Sequence, residues 1–186
     1  MHLSNYFEEL IQIQMKKTKG QQMTEEEYRY ISSFLGNINF LVFGCGVDSQ
    51  LWNYCNQAGL TVFLEDNPKW INPEDKNVFE VKYTTKRPEY KDLLKQYQEG
   101  NYINLTMKLP EIVKSTKWDA IFIDAPNGHK DTKPGRMQSI FTASKLANSN
   151  TEIFLHDCDR DIEDIYSKEM FSLCLKQLTK LRHLRV

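Results

Sequence analysis

The chain has 186 residues and a formal net charge of -1, from 24 Lys+Arg against 25 Asp+Glu. That balance lacks the cationic excess of a general nucleic-acid binder, while 40% hydrophobic and 12% aromatic residues suffice for one packed domain and exclude a disordered chain. No apolar run reaches the roughly 20 residues that cross a bilayer, and the first nine residues carry neither a basic nor a long apolar segment, so the expectation is a soluble, cytoplasmic protein without secretory signal or membrane anchor.

Leu3, Phe7, Leu10 and Ile11 share one helical face, which predicts an amphipathic helix over the first ~17 residues. A break at Gly20-Gln21-Gln22 follows. Thr24 with Glu27 three residues on is a capping-box pattern opening a second helix whose stripe is Tyr28, Ile31, Phe34 and Leu35. Residues 1–36 therefore read as an N-terminal helical extension that covers a sheet.

From Ile38 the pattern changes. Short, mainly apolar runs at Ile38–Phe43 and Leu60–Leu64 predict buried strands, Ala120–Ile123 and Glu152–Leu155 read as further strands, and Val78–Tyr83 alternates like a strand. Helical patterns lie between them, over Leu51–Ala58, Tyr90–Tyr97, Leu109–Val113, a segment opened by Pro134 and Arg136, and one carrying Ile162, Ile165 and Tyr166. Two short strands near Leu173 and residues 181–186 close the chain. This alternation predicts a doubly wound Rossmann-like α/β sheet with an antiparallel C-terminal strand, a fold that binds ligands beyond the carboxyl ends of its strands. Cys45, Cys55, Cys158 and Cys174 form no C-x-x-C pair and read as free thiols.

The strand ends hold the candidate chemistry. The first ends in Gly44-Cys45-Gly46-Val47-Asp48-Ser49. Gly44 and Gly46 permit a sharp turn and close ligand approach, with Asp48 and Ser49 opening the next helix. Ser49 stands where the dinucleotide fingerprint has its third glycine. This counts against a nicotinamide oxidoreductase, which remains the alternative, and favours the looser G-x-G loop of S-adenosylmethionine (SAM) enzymes. Glu65 lies about 20 residues beyond Gly44, where an acid can accept from a ribose diol, and Asp66 and Trp70 would flank the adenine. Asp124, His156 and Asp157 end two further strands and offer a general base, a metal site, or both.

The segments Phe40–Ser49, Thr61–Asp66, Trp118–Pro126, Pro134–Met137 and Phe154–Asp157 resemble the glucuronoxylan 4-O-methyltransferase family. The resemblance runs from about Asn37 to the C-terminus and implies a SAM-dependent methyltransferase domain over residues 37–186. It implies methyl transfer to the 4-hydroxyl of glucuronic acid on a xylan-like or related polysaccharide. Plant members are Golgi proteins with an N-terminal anchor. Some relatives take part in xylan synthesis without established methylation, so a non-catalytic member is a further alternative. Divalent-metal dependence is also implied, with Asp124 and Asp157 as ligands for Mg²⁺, Mn²⁺ or Co²⁺. A uronate acceptor calls for a cation. Arg136 is the first candidate, against a plain ion pair with Asp131, and Lys86 and His129 lie on adjacent loops.

Overall fold

The computed structural model describes residues 5–19 and 22–186; Leu3 and the Gly20-Gln21 part of the expected helix break lie outside them. Strands β1 (Asn39–Phe43), β2 (Leu60–Glu65), β3 (Val78–Glu80), β4 (Ala120–Ile123), β5 (Glu152–Leu155), β6 (Leu173–Gln177) and β7 (Arg182–Arg185) form one sheet in the order β3-β2-β1-β4-β5-β7-β6. The strands β1 to β5 pair in parallel, and β7 lies antiparallel between β5 and β6. The expected Rossmann-like sheet with an antiparallel C-terminal strand is the observed fold.

Both faces of the parallel part of the sheet are buried, which is why its central strands are mainly apolar. Phe40, Val42, Phe63, Phe122 and Phe154 point to one face. There they meet Phe7, Leu10 and Ile11 of α1 (Asn5–Thr18), Tyr28 and Ile31 of α2 (Glu25–Ser32), and Leu51 and Trp52 of α3 (Ser49–Cys55). Leu41, Phe43, Leu64, Ile121, Ile123 and Leu155 point to the other face. It is covered by α4 (Tyr90–Gln98), α5 (Glu111–Ser115), α6 (Met137–Leu146) and α7 (Asp161–Met170), through Leu93, Val113, Ile140 and Tyr166 among others.

Three elements end earlier than their patterns suggest. The helix α3 stops at Cys55 and not at Ala58. The second helix stops at Ser32, although Phe34 and Leu35 still pack against the same face. β3 stops at Glu80 because it is the sheet's edge and pairs with only three residues of β2. Beyond it Tyr83 turns inward, and its hydroxyl accepts from Ser139 Oγ at 3.1 Å.

The amino ends of β1 and β2 are tied by Asn56, which is 1% exposed. Its Oδ1 accepts from the backbone of Gly36 and Ile38, and its Nδ2 donates to Ile38 O, Leu60 O and Thr61 Oγ1. Asn56→Ala strands these buried groups, at an expected cost of about 2–3 kcal/mol in urea unfolding. A loss below about 1 kcal/mol would mean that water replaces the side chain.

Candidate functional site

The strand order reverses between β1 and β4, and the crevice beyond their carboxyl ends has a volume of about 760 Å³. Its walls come from the loops after β1, β2, β4 and β5, with Gln22 ahead of α2 and Lys180 from the β6–β7 turn.

The G-x-G loop turns at Gly44, whose φ of +111° suits glycine and whose added Cβ would stand 2.9 Å from Ala125 Cβ. The loops after β1 and β4 are thus in contact at the switch point. Gly46 N donates to Ser49 Oγ at 3.0 Å, so Ser49 closes the loop on itself. Glu65, 4% exposed, is held as a fixed carboxylate. Its Oε2 accepts from Cys45 N at 2.6 Å and its Oε1 from Asn67 N at 2.7 Å. Burial raises its pKa, and those two amides work against the rise. Asp66 and Trp70 line the same end, with Trp70 50% exposed on a short 3-10 turn opened by Asn67 and Pro68. Asp48 lines the crevice between the two ends. Burial, then the charge of Asp124, pushes its carboxyl up to about 6. A bound cation favours the ionised form of such a group.

The β4–β5 end is an ion cluster. His156 Nδ1 lies 2.9 Å from Asp124 Oδ1 and 3.7 Å from Asp157 Oδ1. Arg136 Nη2 donates to Asp124 Oδ1 at 2.9 Å and to Asp157 Oδ2 at 2.6 Å. Arg160 Nη1 reaches Asp157 Oδ2 at 2.9 Å. Burial opposes ionisation of Asp124, but the charges of His156 and Arg136 outweigh it and hold the carboxyl at about 2. Burial likewise opposes the imidazolium of His156, and Asp124 and Asp157 outweigh it, so its pKa is raised. Asp157 itself sits at φ +62°, a conformation that Asp tolerates better than most residues.

The three side chains of Asp124, His156 and Asp157 each offer a ligand atom, all within 4.8 Å of one another. Arg136 and His156 engage Asp124 through Oδ1, and the arginines engage Asp157 through Oδ2. Among the described residues, Asp124 Oδ2 and Asp157 Oδ1 accept no hydrogen bond, so one oxygen of each carboxylate can take another ligand. His156 Nε2 is buried without a partner among the described residues. Two carboxylates and an imidazole suit Mg²⁺, Mn²⁺ or Co²⁺, so the residues present fit a divalent ion.

The structure therefore brings Gly44, Gly46, Asp48, Glu65, Asp66, Trp70, Asp124, Arg136, His156, Asp157 and His129 to one crevice. It gives Arg136 a different setting from the one expected. The side chain is 4% exposed, and its donors meet Asp124, Asp157 and the carbonyls of Pro126, His156 and Asp124. A guanidinium so occupied is not a free fork for an incoming carboxylate. Asp131, the alternative partner, is taken by Arg87 at 2.6 Å. Lys86 is exposed at the start of a 3-10 turn and is not among the crevice residues.

Three participants escaped the sequence reading. Glu163, 2% exposed, lies 3.7 Å from Arg136 Nε, and an acid in a helix's first turn reads from sequence as a solvated complement to the dipole. Lys180 and Gln22 belong to a turn and an inter-helix segment with no motif at all.

The IRX15/IRX15L/GXM family profile matches residues 26–184. Glucuronoxylan 4-O-methyltransferase 1 of Arabidopsis thaliana is 36% identical over 191 residues, covering 87% of this chain and 67% of that one. Arabinogalactan O-methyltransferase 2 of the same plant is 36% identical over 164 residues, covering 74% and 55%. The chain thus spans about half to two thirds of the length of these curated relatives. Among solved structures, the MycE methyltransferase from the mycinamycin biosynthetic pathway, in complex with Mg and SAH, superposes with a TM-score of 0.48 at 9% identity, covering 96% of this chain and 48% of that one. With its profile matched from α2 to β7 and its relatives at this identity, the chain belongs to the IRX15/IRX15L/GXM family.

Proposed function

We propose that this chain is a SAM-dependent O-methyltransferase (EC 2.1.1 class) acting on the 4-hydroxyl of a glucuronic acid residue in a polysaccharide or related glycan. The observation that carries the reading is the division of one crevice. A pinned carboxylate and a glycine cradle stand at the β1–β2 end, and a carboxylate–imidazole–carboxylate cluster stands at the β4–β5 end. The names of the two Arabidopsis relatives support its coarser part, methyl transfer to a polysaccharide.

SAM supplies a methyl group on a sulfonium, which needs no further activation. The chain's task is to hold the acceptor hydroxyl in line and take its proton. Glu65 accepts from the ribose hydroxyls, Gly44 and Gly46 let the cofactor approach the backbone, and Asp66 and Trp70 flank the adenine. Asp124 is the most exposed acid of the cluster, at 29% of its side chain. Its free oxygen receives the hydroxyl proton. A carboxylate near pKa 2 is a weak base for an alcohol at rest. As the new oxygen–carbon bond forms, however, the hydroxyl becomes oxonium-like and strongly acidic, so a weak, well-placed base suffices. His156 and Arg136 orient Asp124 and keep it ionised, and Asp157 holds Arg136 in place. The same three residues would hold a divalent ion, which would add Lewis acidity at the hydroxyl.

Methyl-labelled SAM with a panel of uronic-acid glycans, followed by linkage analysis, tests the reading directly. Label on the 4-hydroxyl of glucuronate is the expected result. Calorimetric binding of NAD in place of SAM would overturn it in favour of an oxidoreductase. Glu65→Ala is expected to raise the SAM dissociation constant about tenfold to a hundredfold, the equivalent of about 1–3 kcal/mol for unpaired buried hydroxyls. An unchanged constant in a folded variant would remove Glu65 from the cofactor site.

A further inference from the structure

The crevice is lined by four side chains of fixed positive type: Lys133, Arg136, Arg160 and Lys180. Three have acids to answer. Arg136 is enclosed by Asp124, Asp157 and Glu163. Arg160 is paired with Asp157. Lys133 lies close enough to Asp66 for its charge to favour that carboxylate. Lys180 makes no ion pair among the described residues, yet it is half-buried at the crevice wall.

Its backbone is anchored on both sides. Lys180 N donates to Glu27 Oε1 at 2.7 Å, and Lys180 O accepts from Cys158 N at 2.8 Å. Cys158 directly follows Asp157, so the β6–β7 turn rests against the loop that carries the ion cluster. Leu178 N to Leu181 O at 2.9 Å closes the turn, and Leu181 is fully buried in the core beside α2. Glu27 is itself fully buried and has no cationic partner among the described residues. Its other oxygen accepts from Thr24 N at 2.7 Å and Thr24 Oγ1 at 3.1 Å. The capping box of α2 thus also fixes the height of Lys180 above the sheet.

We propose that Lys180 is the specificity-determining cation that binds the carboxylate of the acceptor, and that Glu27 is the residue that positions it. The inference rests on the methyltransferase reading and deepens it. In a hexuronate the carboxylate is borne on the ring carbon next to the one carrying the 4-hydroxyl. A pocket that places this hydroxyl on Asp124 must therefore meet the carboxylate close by, and the turn bound to Cys158 lies beside that cluster. A flexible ammonium on a rigid turn gives charge recognition without demanding the two-point geometry that Arg136 cannot supply.

The test compares a glucuronic-acid-bearing oligosaccharide with its carboxyl-reduced counterpart. Binding is measured by calorimetry in the presence of S-adenosylhomocysteine, and methyl transfer is measured separately. The parent protein is expected to bind the acid at least about tenfold more tightly, with the ratio falling as salt rises. Lys180→Gln should bring the ratio close to one, and Lys180→Arg should keep most of it. Glu27→Gln should lower the ratio without touching any crevice charge, whereas a purely structural role would weaken both ligands alike. If Lys180→Gln keeps the parent's preference, the inference falls and the methyltransferase reading stands. If the preference is present and lost as expected but no methyl group is transferred, the acceptor site stands and the reaction falls. A parent with no preference for the acid defeats the inference outright.

Discussion

Arg136→Met is expected to lower the free energy of unfolding by about 3–5 kcal/mol, because it leaves buried carboxylates without their counter-charge. The side chain is enclosed by Asp124, Asp157 and Glu163, contributed by the loops after β4 and β5 and by α7. It also satisfies the carbonyls of Asp124, Pro126 and His156. Methionine fills much of the volume and meets none of these acceptors. Arg136→Lys keeps the charge, but one ammonium cannot reach acceptors spread around a planar fork, so an intermediate loss is expected.

The same cluster sets a direction in pH. Asp124 is held at about 2 in the folded chain, against an ordinary value of 3.8. Its folded pKa is depressed, so its contribution is fully present above about pH 4 and is lost as pH falls from there towards 2. Without Arg136 the folded carboxyl rises towards its ordinary value, so this contribution, and the stability lost between about pH 4 and 2, both shrink. Urea titrations of parent and variant at pH 7, 5 and 3 measure both effects. A variant within about 1 kcal/mol of the parent at pH 7 would mean that the acids take up protons or water at little cost.

Pro134-Gly135-Arg136 opens a helix, and a cation there reads as an exposed group near a ligand. Its burial depends on Asp124, Asp157 and Glu163 converging from three elements, which no local spacing encodes. Glu27 is a similar case. Its pairing with Thr24 is local and legible, but its bond to Lys180 spans the chain from α2 to the last turn. The strands were legible for the opposite reason. Each of β1, β2, β4 and β5 is buried on both faces, so its central residues are almost all apolar, and the crevice begins where Gly44, Glu65, Asp124 or His156 breaks that run. The proposed cofactor end is local in sequence, because a glycine turn and an acid about 20 residues on are constraints within one β-α-β unit. The proposed acceptor end is assembled from segments at opposite ends of the chain.

Asp124→Asn is expected to lower kcat about 10²- to 10⁴-fold, the usual range for a positioned general base, while leaving the SAM dissociation constant within about twofold. The substitution is nearly isosteric. An amide oxygen placed at the Oδ1 position can still accept from Arg136 and His156, so the cluster keeps its shape. The amide nitrogen then occupies the position of the oxygen left free for the acceptor. A group that accepted a proton becomes one that donates, and the departing proton has nowhere to go. The proposed cofactor cradle belongs to the ends of β1 and β2 and does not use Asp124, which is why kcat and SAM affinity should separate. His156 changes as well. Asp124 is the largest influence raising its pKa, so the imidazolium becomes less stable in the variant. Two roles of Asp124, proton acceptor and ligand for a divalent ion, would both reduce turnover. Excess Mn²⁺ or Mg²⁺ separates them: weakened ion binding is relieved by mass action, and a missing base is not. The expected result is a kcat that stays low at saturating ion. Recovery to near the parent rate would assign Asp124 to ion binding alone. A variant that retains more than about a third of parental kcat without added ion would remove Asp124 from both roles.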